Sequence, residues 1–389
     1  MEKLAINGGQ PAIGKAFPEW PVWDTRDVEA VGKAVQEEVW GYHGTKIDEF
    51  AREFSRFQRL AHVIPVANGS VALDIALQAL GVGEGDEVVV PDYTFMATAL
   101  APFHCGARPI LVDVDPDTFN MDPARMEQAF TDRTKAVICV HFGGHPCDMT
   151  AIMRIANKYG IPVVEDCAHA HGAIWESTYV GSFGAICTFS FQSSKTLACG
   201  EGGAVGTNSD ELARACWSWH NCGRVPGETD YHHYLPGTNY RIGNLQAALL
   251  TTQLERLEEQ CKRRDANGVY LTQLLGKIRG VKPQARDAKV GRHGFYLFTF
   301  LLDEDIPRDA FKKAIEAEGV PIQEEYPPIH SLEFMRARGY GEQSFPVSSR
   351  IANHSVWLYH RALLGSREDT GRIAEAVEKV VRHKAELSS

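Results

Sequence analysis

From about residue 60 onward, short runs of β-branched and other apolar residues alternate with stretches whose apolar positions recur every three to four residues. The runs predict strands at His62–Ala67, Glu87–Val90, Pro109–Val114, Ala136–Phe142, Pro162–Glu165, Ala185–Phe191 and Gly203–Gly206. The helical spacing predicts helices at Val71–Leu80, Asp122–Phe130, Met149–Tyr159 and Asp210–His220. Val88–Val90 and Ala136–Val140 are apolar without alternation. Strands of that kind are covered on both faces and belong to mainly parallel sheets flanked by helices. One large α/β domain is expected.

After residue 243 the texture changes. Leu250, Leu254, Leu257 and Cys261 predict a long helix leaving the large domain. A strand at Phe295–Leu301, a helix at Arg308–Glu318 and a terminal amphipathic helix carrying Ile373, Val377, Val380 and Val381 follow. The expected division is a large domain over residues 1–255 and a smaller α+β domain over 256–389.

Composition narrows the function classes. Of 389 residues, 44% are hydrophobic and 23% charged, the mix of a soluble chain with a sizeable core. Forty basic residues stand against 50 acidic ones. That balance argues against a nucleic-acid surface or a polybasic membrane anchor. No apolar run approaches the ~20 residues of a membrane-spanning helix. The first residues lack the apolar core of a signal peptide. Nine scattered cysteines point to free thiols, and the expected compartment is the cytoplasm.

Gly81-Val82-Gly83-Glu84-Gly85 follows a helix and precedes a strand. A dinucleotide loop needs the reverse order, so this is a tight connection. Asn68-Gly69-Ser70 has the right order, and free N–H groups at that helix start suit a phosphate as well as an ordinary cap. Asp166 ends a buried strand, where ligands of open α/β sheets bind. Cys167, His169 and His171, or His141, His145 and Cys147, are metal-ligand types without a standard zinc spacing, so no metal is expected. Lys195 follows the strand ending near Phe191.

A phosphate-type turn, a strand-end Asp and a loop Lys are the three anchors of pyridoxal 5'-phosphate (PLP). A lysine amine holds the aldehyde, and a buried carboxylate keeps the pyridine nitrogen protonated. A helix start neutralises the phosphate. Phe95 offers an aromatic face for the ring.

With these motifs in place the chain closely resembles the DegT/StrS family of PLP-dependent aminotransferases, which have the aspartate-aminotransferase fold (fold type I). Matching segments are Asn68-Gly69-Ser70, Thr94-Phe95-Met96-Ala97-Thr98, Glu165-Asp166-Cys167-Ala168-His169, Ser190-Phe191-Gln192-Ser193-Ser194-Lys195, Gly200-Glu201-Gly202-Gly203 and Gly237-Thr238-Asn239-Tyr240-Arg241. The resemblance implies a mainly parallel seven-stranded sheet with a smaller α+β C-terminal domain. It implies Lys195 as the covalent lysine, Asp166 on the pyridine nitrogen, His169 near the phenolic oxygen and Phe95 as the stacking aromatic. Gly69, Ser70, Val71 and Ser190 are implied phosphate contacts. Asn239 is implied to reach the phosphate across a subunit boundary, hence a homodimer with shared active sites.

Asn221–Arg224 and Val356–Leu364 resemble the branch containing amino-hydroxybenzoate synthases and scyllo-inosose aminotransferases. Phe142 stands where relatives commonly carry Tyr, and Ser193-Ser194 replaces their usual residues before the lysine. The expected reaction moves an amino group from glutamate or glutamine to a cyclic keto-sugar or keto-cyclitol in a ping-pong cycle. Dehydration or aromatisation of an amino ring is the alternative. A non-catalytic binding protein is disfavoured by retention of Lys195 and Asp166. Candidate substrate contacts are Trp40, Tyr42, His43, Arg224, Arg241, Tyr326, His330 and His360.

Overall fold

The computed structural model describes residues 3–227 and 232–387. Seven strands form the main sheet: β1 (His62–Val66), β2 (Glu87–Pro91), β3 (Arg108–Val112), β4 (Thr134–Val140), β5 (Val163–Asp166), and, beyond a short hairpin β6 (Ile174–Trp175) and β7 (Thr178–Tyr179), β8 (Ile186–Ser190) and β9 (Gly203–Thr207). Their order is β1-β9-β8-β5-β4-β2-β3. Only β9 runs against its neighbours. The carboxyl ends of the six parallel strands therefore share one edge.

Helices cover both faces, as the uninterrupted apolar runs require. Two precede the sheet, α1 (Thr25–Gln36) and α2 (Thr45–Gln58), neither of them anticipated from the sequence. The next five are α3 (Gly69–Ala79), α4 (Ala97–His104), α5 (Pro123–Gln128), α6 (Met149–Tyr159) and α7 (Asp210–His220). Phe50 and Phe54 of α2 are fully buried beside Phe189 and Phe191, on the face carrying Val89, Val137 and Cys139. The other face packs Val88, Val90, Ala136 and Ile138 against Leu73 and Leu77 of α3.

The long helix α8 (Asn244–Leu275) runs through the boundary expected at residue 255. It leads into a second sheet of order β10-β12-β14-β13, formed by β10 (Val281–Pro283), β12 (Leu297–Leu302), β13 (Ile322–Gln323) and β14 (Ser355–Tyr359). Strand β11 (Val290–Arg292) joins the β6–β7 hairpin instead. Helix α9 (Arg308–Ala317) and a C-terminal helix, Arg367–Arg382, cover the second sheet through Phe311, Ile373 and Val377. No helix is long and apolar enough to cross a membrane among the described residues.

Candidate active site

The site is assembled at the shared edge of the parallel strands. Asn68 caps α3, its side chain accepting the Val71 amide at 3.0 Å. Gly69 leaves no room for a side chain: a Cβ there would lie 2.7 Å from Ser190 Cβ. A Cβ on Gly203 would come within 2.4 Å of the Asn68 carbonyl carbon. These two glycines bring the first turn of α3 against the end of β8, with Ser70 exposed, Val71 half-buried and Ser190 alongside. The result is a cradle of amide and hydroxyl groups at the positive end of a helix dipole.

Adjacent residues of β5 point to opposite faces and divide two tasks. Glu165 is fully buried and accepts the amides of Gly181, Phe183 and Gly184 at 2.6–2.8 Å, and His141 Nε2 at 3.2 Å. His141 Nδ1 already accepts the Cys147 amide. Ligand atoms of His141, Glu165 and Cys167 lie within 4.8 Å of one another, but the first two are spent on each other and on backbone amides. Neither set of metal-ligand types named from the sequence comes together as a set among the described residues.

Asp166 faces the other way. Its carboxylate accepts from Thr98 Oγ1 at 3.2 Å and from the Ala168 amide at 3.1 Å. Burial pushes its pKa above the ordinary carboxylate value, opposed by the Ala168 amide, the nearby charge of Lys195 and the Thr98 hydroxyl. A buried acid of this kind favours a cationic partner.

His169 is buried three residues on. It accepts the Gly143 amide on Nδ1 at 3.3 Å, which leaves the proton on Nε2. Burial, and then the Lys195 charge, holds its pKa well below the usual histidine value. The neutral ring is therefore a hydrogen-bond donor at Nε2. It stacks on Tyr296, with centroids 4.2 Å apart.

Lys195 lies on the loop after β8, and its Nζ stands 4.3 Å from the Tyr296 ring centroid. Four hydrogen bonds hold the preceding residues: Tyr359 Oη and His360 Nε2 donate to the Ser194 carbonyl at 3.1 Å, Tyr296 Oη lies 3.0 Å from Ser194 Oγ, and Trp20 Nε1 donates to the Ser193 carbonyl at 3.0 Å. Phe95 keeps an exposed ring beside Tyr326, 5.4 Å between centroids.

Lys195, Asp166 and His169 thus come together, with Phe95 joined to them through Tyr326 and the α3 cradle packed on the end of β8 that leads to Lys195. The substrate candidates divide. Tyr326 and His330 line a cavity of about 780 Å³ with Arg308, Lys312 and Glu325. Tyr42, His43 and Arg241 line a separate cavity of about 280 Å³. There Arg241 Nη1 donates to Asn221 Oδ1 at 2.9 Å and its guanidinium covers the Tyr42 ring. Asn239 is exposed, Arg224 is half-buried beyond Asn221, and Trp40 lies on the surface. His330 is held by Asp92, its Nδ1 2.7 Å from the carboxylate. His360 is fully buried against the Ser194 carbonyl and has no surface for a substrate.

Residues 22–378 match the DegT/DnrJ/EryC1/StrS aminotransferase family. The chain belongs to that family. It is an aminotransferase-family enzyme with the fold-type I architecture. It is 35% identical over 377 residues to 3-amino-5-hydroxybenzoate synthase of Amycolatopsis mediterranei, covering 94% of this chain and 97% of that one. It is 36% identical over 419 residues to L-glutamine:2-deoxy-scyllo-inosose aminotransferase of Streptoalloteichus tenebrarius, covering 99% of each. A crystal structure of 3-amino-5-hydroxybenzoic acid synthase superposes with a TM-score of 0.90 at 34% identity, over 95% of this chain and all of that one. DesV of S. venezuelae, solved with a ketimine intermediate, gives 0.85 at 31% over 93% and 98%. DegT-family aminotransferases use PLP.

Within this DegT-family chain, Thr98, Tyr296, Tyr359 and Trp20 were not singled out from the sequence. Thr98 lay inside a quoted motif, one turn from Phe95. Tyr359 lay inside the segment Val356–Leu364, Tyr296 directly precedes β12 and Trp20 is in the N-terminal arm, and at none of these places does spacing distinguish a site aromatic from a core one.

Proposed function

We propose that this enzyme moves an amino group from glutamine or glutamate to a cyclic ketone, a keto-cyclitol before a keto-sugar, using PLP held between Lys195, Asp166 and the start of α3. When bound, PLP supplies an electron sink for a carbanion at the amine-bearing carbon. The chain's own residues do the rest. Lys195 would hold the aldehyde through its amine and would move the proton at the amine-bearing carbon. Asp166 pairs with the pyridine nitrogen and holds its proton. His169 Nε2–H orients the phenolic oxygen, Phe95 covers the ring, and Gly69, Ser70, Val71 and Ser190 receive the phosphate. A second copy of the chain completes the cradle through Asn239, whose exposure leaves it available to a neighbour.

The observation that carries this reading is a buried acid close enough to a loop lysine to feel its charge, at the same sheet edge as an anion cradle at the start of α3. The names of the relatives support the ketone and the donor. The similarity to 3-amino-5-hydroxybenzoate synthase supports a second reading, dehydration of an amino ring from the same carbanion.

Glutamine labelled at its α-nitrogen, incubated with 2-deoxy-scyllo-inosose or a nucleotide-linked keto-sugar, separates them. Label in an amino-cyclitol that has lost no water is the expected result. Water loss without label transfer would establish the dehydratase, and label in the nucleotide sugar alone would move the substrate class.

A further inference from the structure

His360 opens the short 3-10 turn that follows β14, and its side chain is fully buried. Its Nε2 stands 3.1 Å from the Ser194 carbonyl oxygen, which the Tyr359 hydroxyl also reaches at 3.1 Å. A carbonyl oxygen only accepts, so Nε2 carries the imidazole proton and both lone pairs of that oxygen are engaged. Burial, and then the charge of Arg264, hold the His360 pKa well below the usual histidine value. Arg264 is itself fully buried on α8; its Nη2 donates to Cys261 Sγ at 3.5 Å, while its Nε and Nη1 have no partner among the described residues. The His360 ring is thus a neutral donor, packed edge-to-face with Trp20 at 4.4 Å between centroids. Beyond the lysine the loop is tied again, with His171 Nδ1 3.0 Å from Thr196 Oγ1. The peptide joining Ser194 to Lys195 is therefore held by two residues of the small domain, 165 and 166 positions along the chain from Ser194.

We propose that His360 is a positioning residue for Lys195: its Nε2–H, with the Tyr359 hydroxyl, fixes the Ser194–Lys195 peptide and so aims the lysine amine at the cofactor aldehyde. The inference rests on the cofactor reading above. The amine hangs from Cα on a flexible chain, so any rotation of that peptide moves both its starting point and its direction. Bond formation needs the reacting atoms in near-attack geometry, and a misplacement of ~1 Å costs about 100-fold in rate. Because both donors belong to the small domain, the lysine is set only while that domain is docked on the sheet.

The test follows the rate at which PLP is fixed on Lys195 of the apoprotein, quenched with borohydride and read by peptide mass. Amine and aldehyde join as C=N with loss of one water, and borohydride delivers hydride to that bond. His360→Gln places an amide N–H the same number of bonds from Cβ as Nε2, whereas His360→Asn falls one bond short. Fixation should slow by about 10- to 100-fold in the asparagine protein and recover to within about 3-fold of wild type in the glutamine protein. Tyr359→Phe, which removes the other donor, should slow it as well. The inorganic phosphate concentration that halves the rate should not change in any of them, because the α3 cradle is untouched. An asparagine protein as fast as wild type, or a glutamine protein as slow as the asparagine one, overturns the proposal. So does phosphate competition that weakens in step with the rate, as a merely structural role would require. If wild-type protein fixes no PLP on Lys195, the cofactor reading falls and takes this inference with it.

Discussion

Thr98 Oγ1 donates to Oδ2 of Asp166 across 3.2 Å, tying the first turn of α4 to the carboxyl end of β5. Thr94 Oγ1 lies 3.2 Å behind it, so the two hydroxyls form a relay ending on the buried acid. Both threonines are almost fully buried. Thr98→Val keeps the shape and removes the donor. A hydrogen bond to a charged group contributes about 1.5–3 kcal/mol, so PLP should bind roughly 10- to 100-fold more weakly. Equilibrium dialysis checks this, and an unchanged affinity would remove Asp166 from contact with the cofactor.

Gly69→Ala places a methyl 2.7 Å from Ser190 Cβ and 3.2 Å from its hydroxyl. Either α3 or β8 must retreat. Overpacking of this kind costs about 1–3 kcal/mol. The melting temperature should fall, and inorganic phosphate should compete less well with PLP because the cradle has opened. A variant as stable as the parent, with unaltered competition, would show that the close approach is unnecessary.

Glu165→Gln replaces a carboxylate that accepts three backbone amides and His141 with a side chain that must donate from one end. At least one buried N–H then faces another N–H. Breaking a buried charged network is worth about 3–5 kcal/mol, which urea titration of the holoenzyme can read. The loop around Gly181–Gly184 should be the first segment to gain hydrogen exchange.

The His330–Asp92 contact ties the small-domain loop to the end of β2 and has a pH signature. Its hydrogen bond to Asp92 raises the His330 pKa above the ordinary value of 6.5, against a smaller opposing effect of burial. A raised folded pKa means that the folded state binds the proton more tightly than the unfolded one. The added stability is therefore complete below pH 6.5 and fades as pH rises through the higher folded value. The melting-temperature gap between wild type and His330→Gln should be widest in mild acid and narrow toward alkaline pH. A gap that widens with pH would mean that His330 is held neutral.

Much of the large domain was legible because its signals are local. The seven strands of the main sheet were each located to within about two residues, since strands buried on both faces betray themselves as unbroken apolar runs, whereas the two-residue strands of the β6–β7 hairpin were not anticipated. Their ends drifted: Phe142 was expected in β4 but opens a short 3-10 turn at His141, where the chain leaves the sheet. The Asn68 cap, the strand-end Asp166 and the loop Lys195 were visible for the same reason, each lying within a few residues of a strand.

Helices α1 and α2 were missed although both carry clear apolar stripes at helical spacing, such as Phe50 and Phe54. The substrate candidates fared differently. Tyr326, His330, Tyr42, His43 and Arg241 are all at cavities, but at two different ones, and no spacing along the chain could have separated them.

The order of residue types along the chain was enough to establish the fold class and to single out the three groups proposed to anchor the chemistry, because hydrophobic burial and strand-end placement act over neighbouring residues. Which aromatic side chains surround Lys195 was decided by tertiary packing alone. Tyr296 meets Ser194 across 102 residues of chain, Tyr359 across 165 and Trp20 reaches Ser193 across 173. Contacts at such separations depend on how the small domain and the N-terminal arm dock on the sheet, and a periodic pattern carries no record of that.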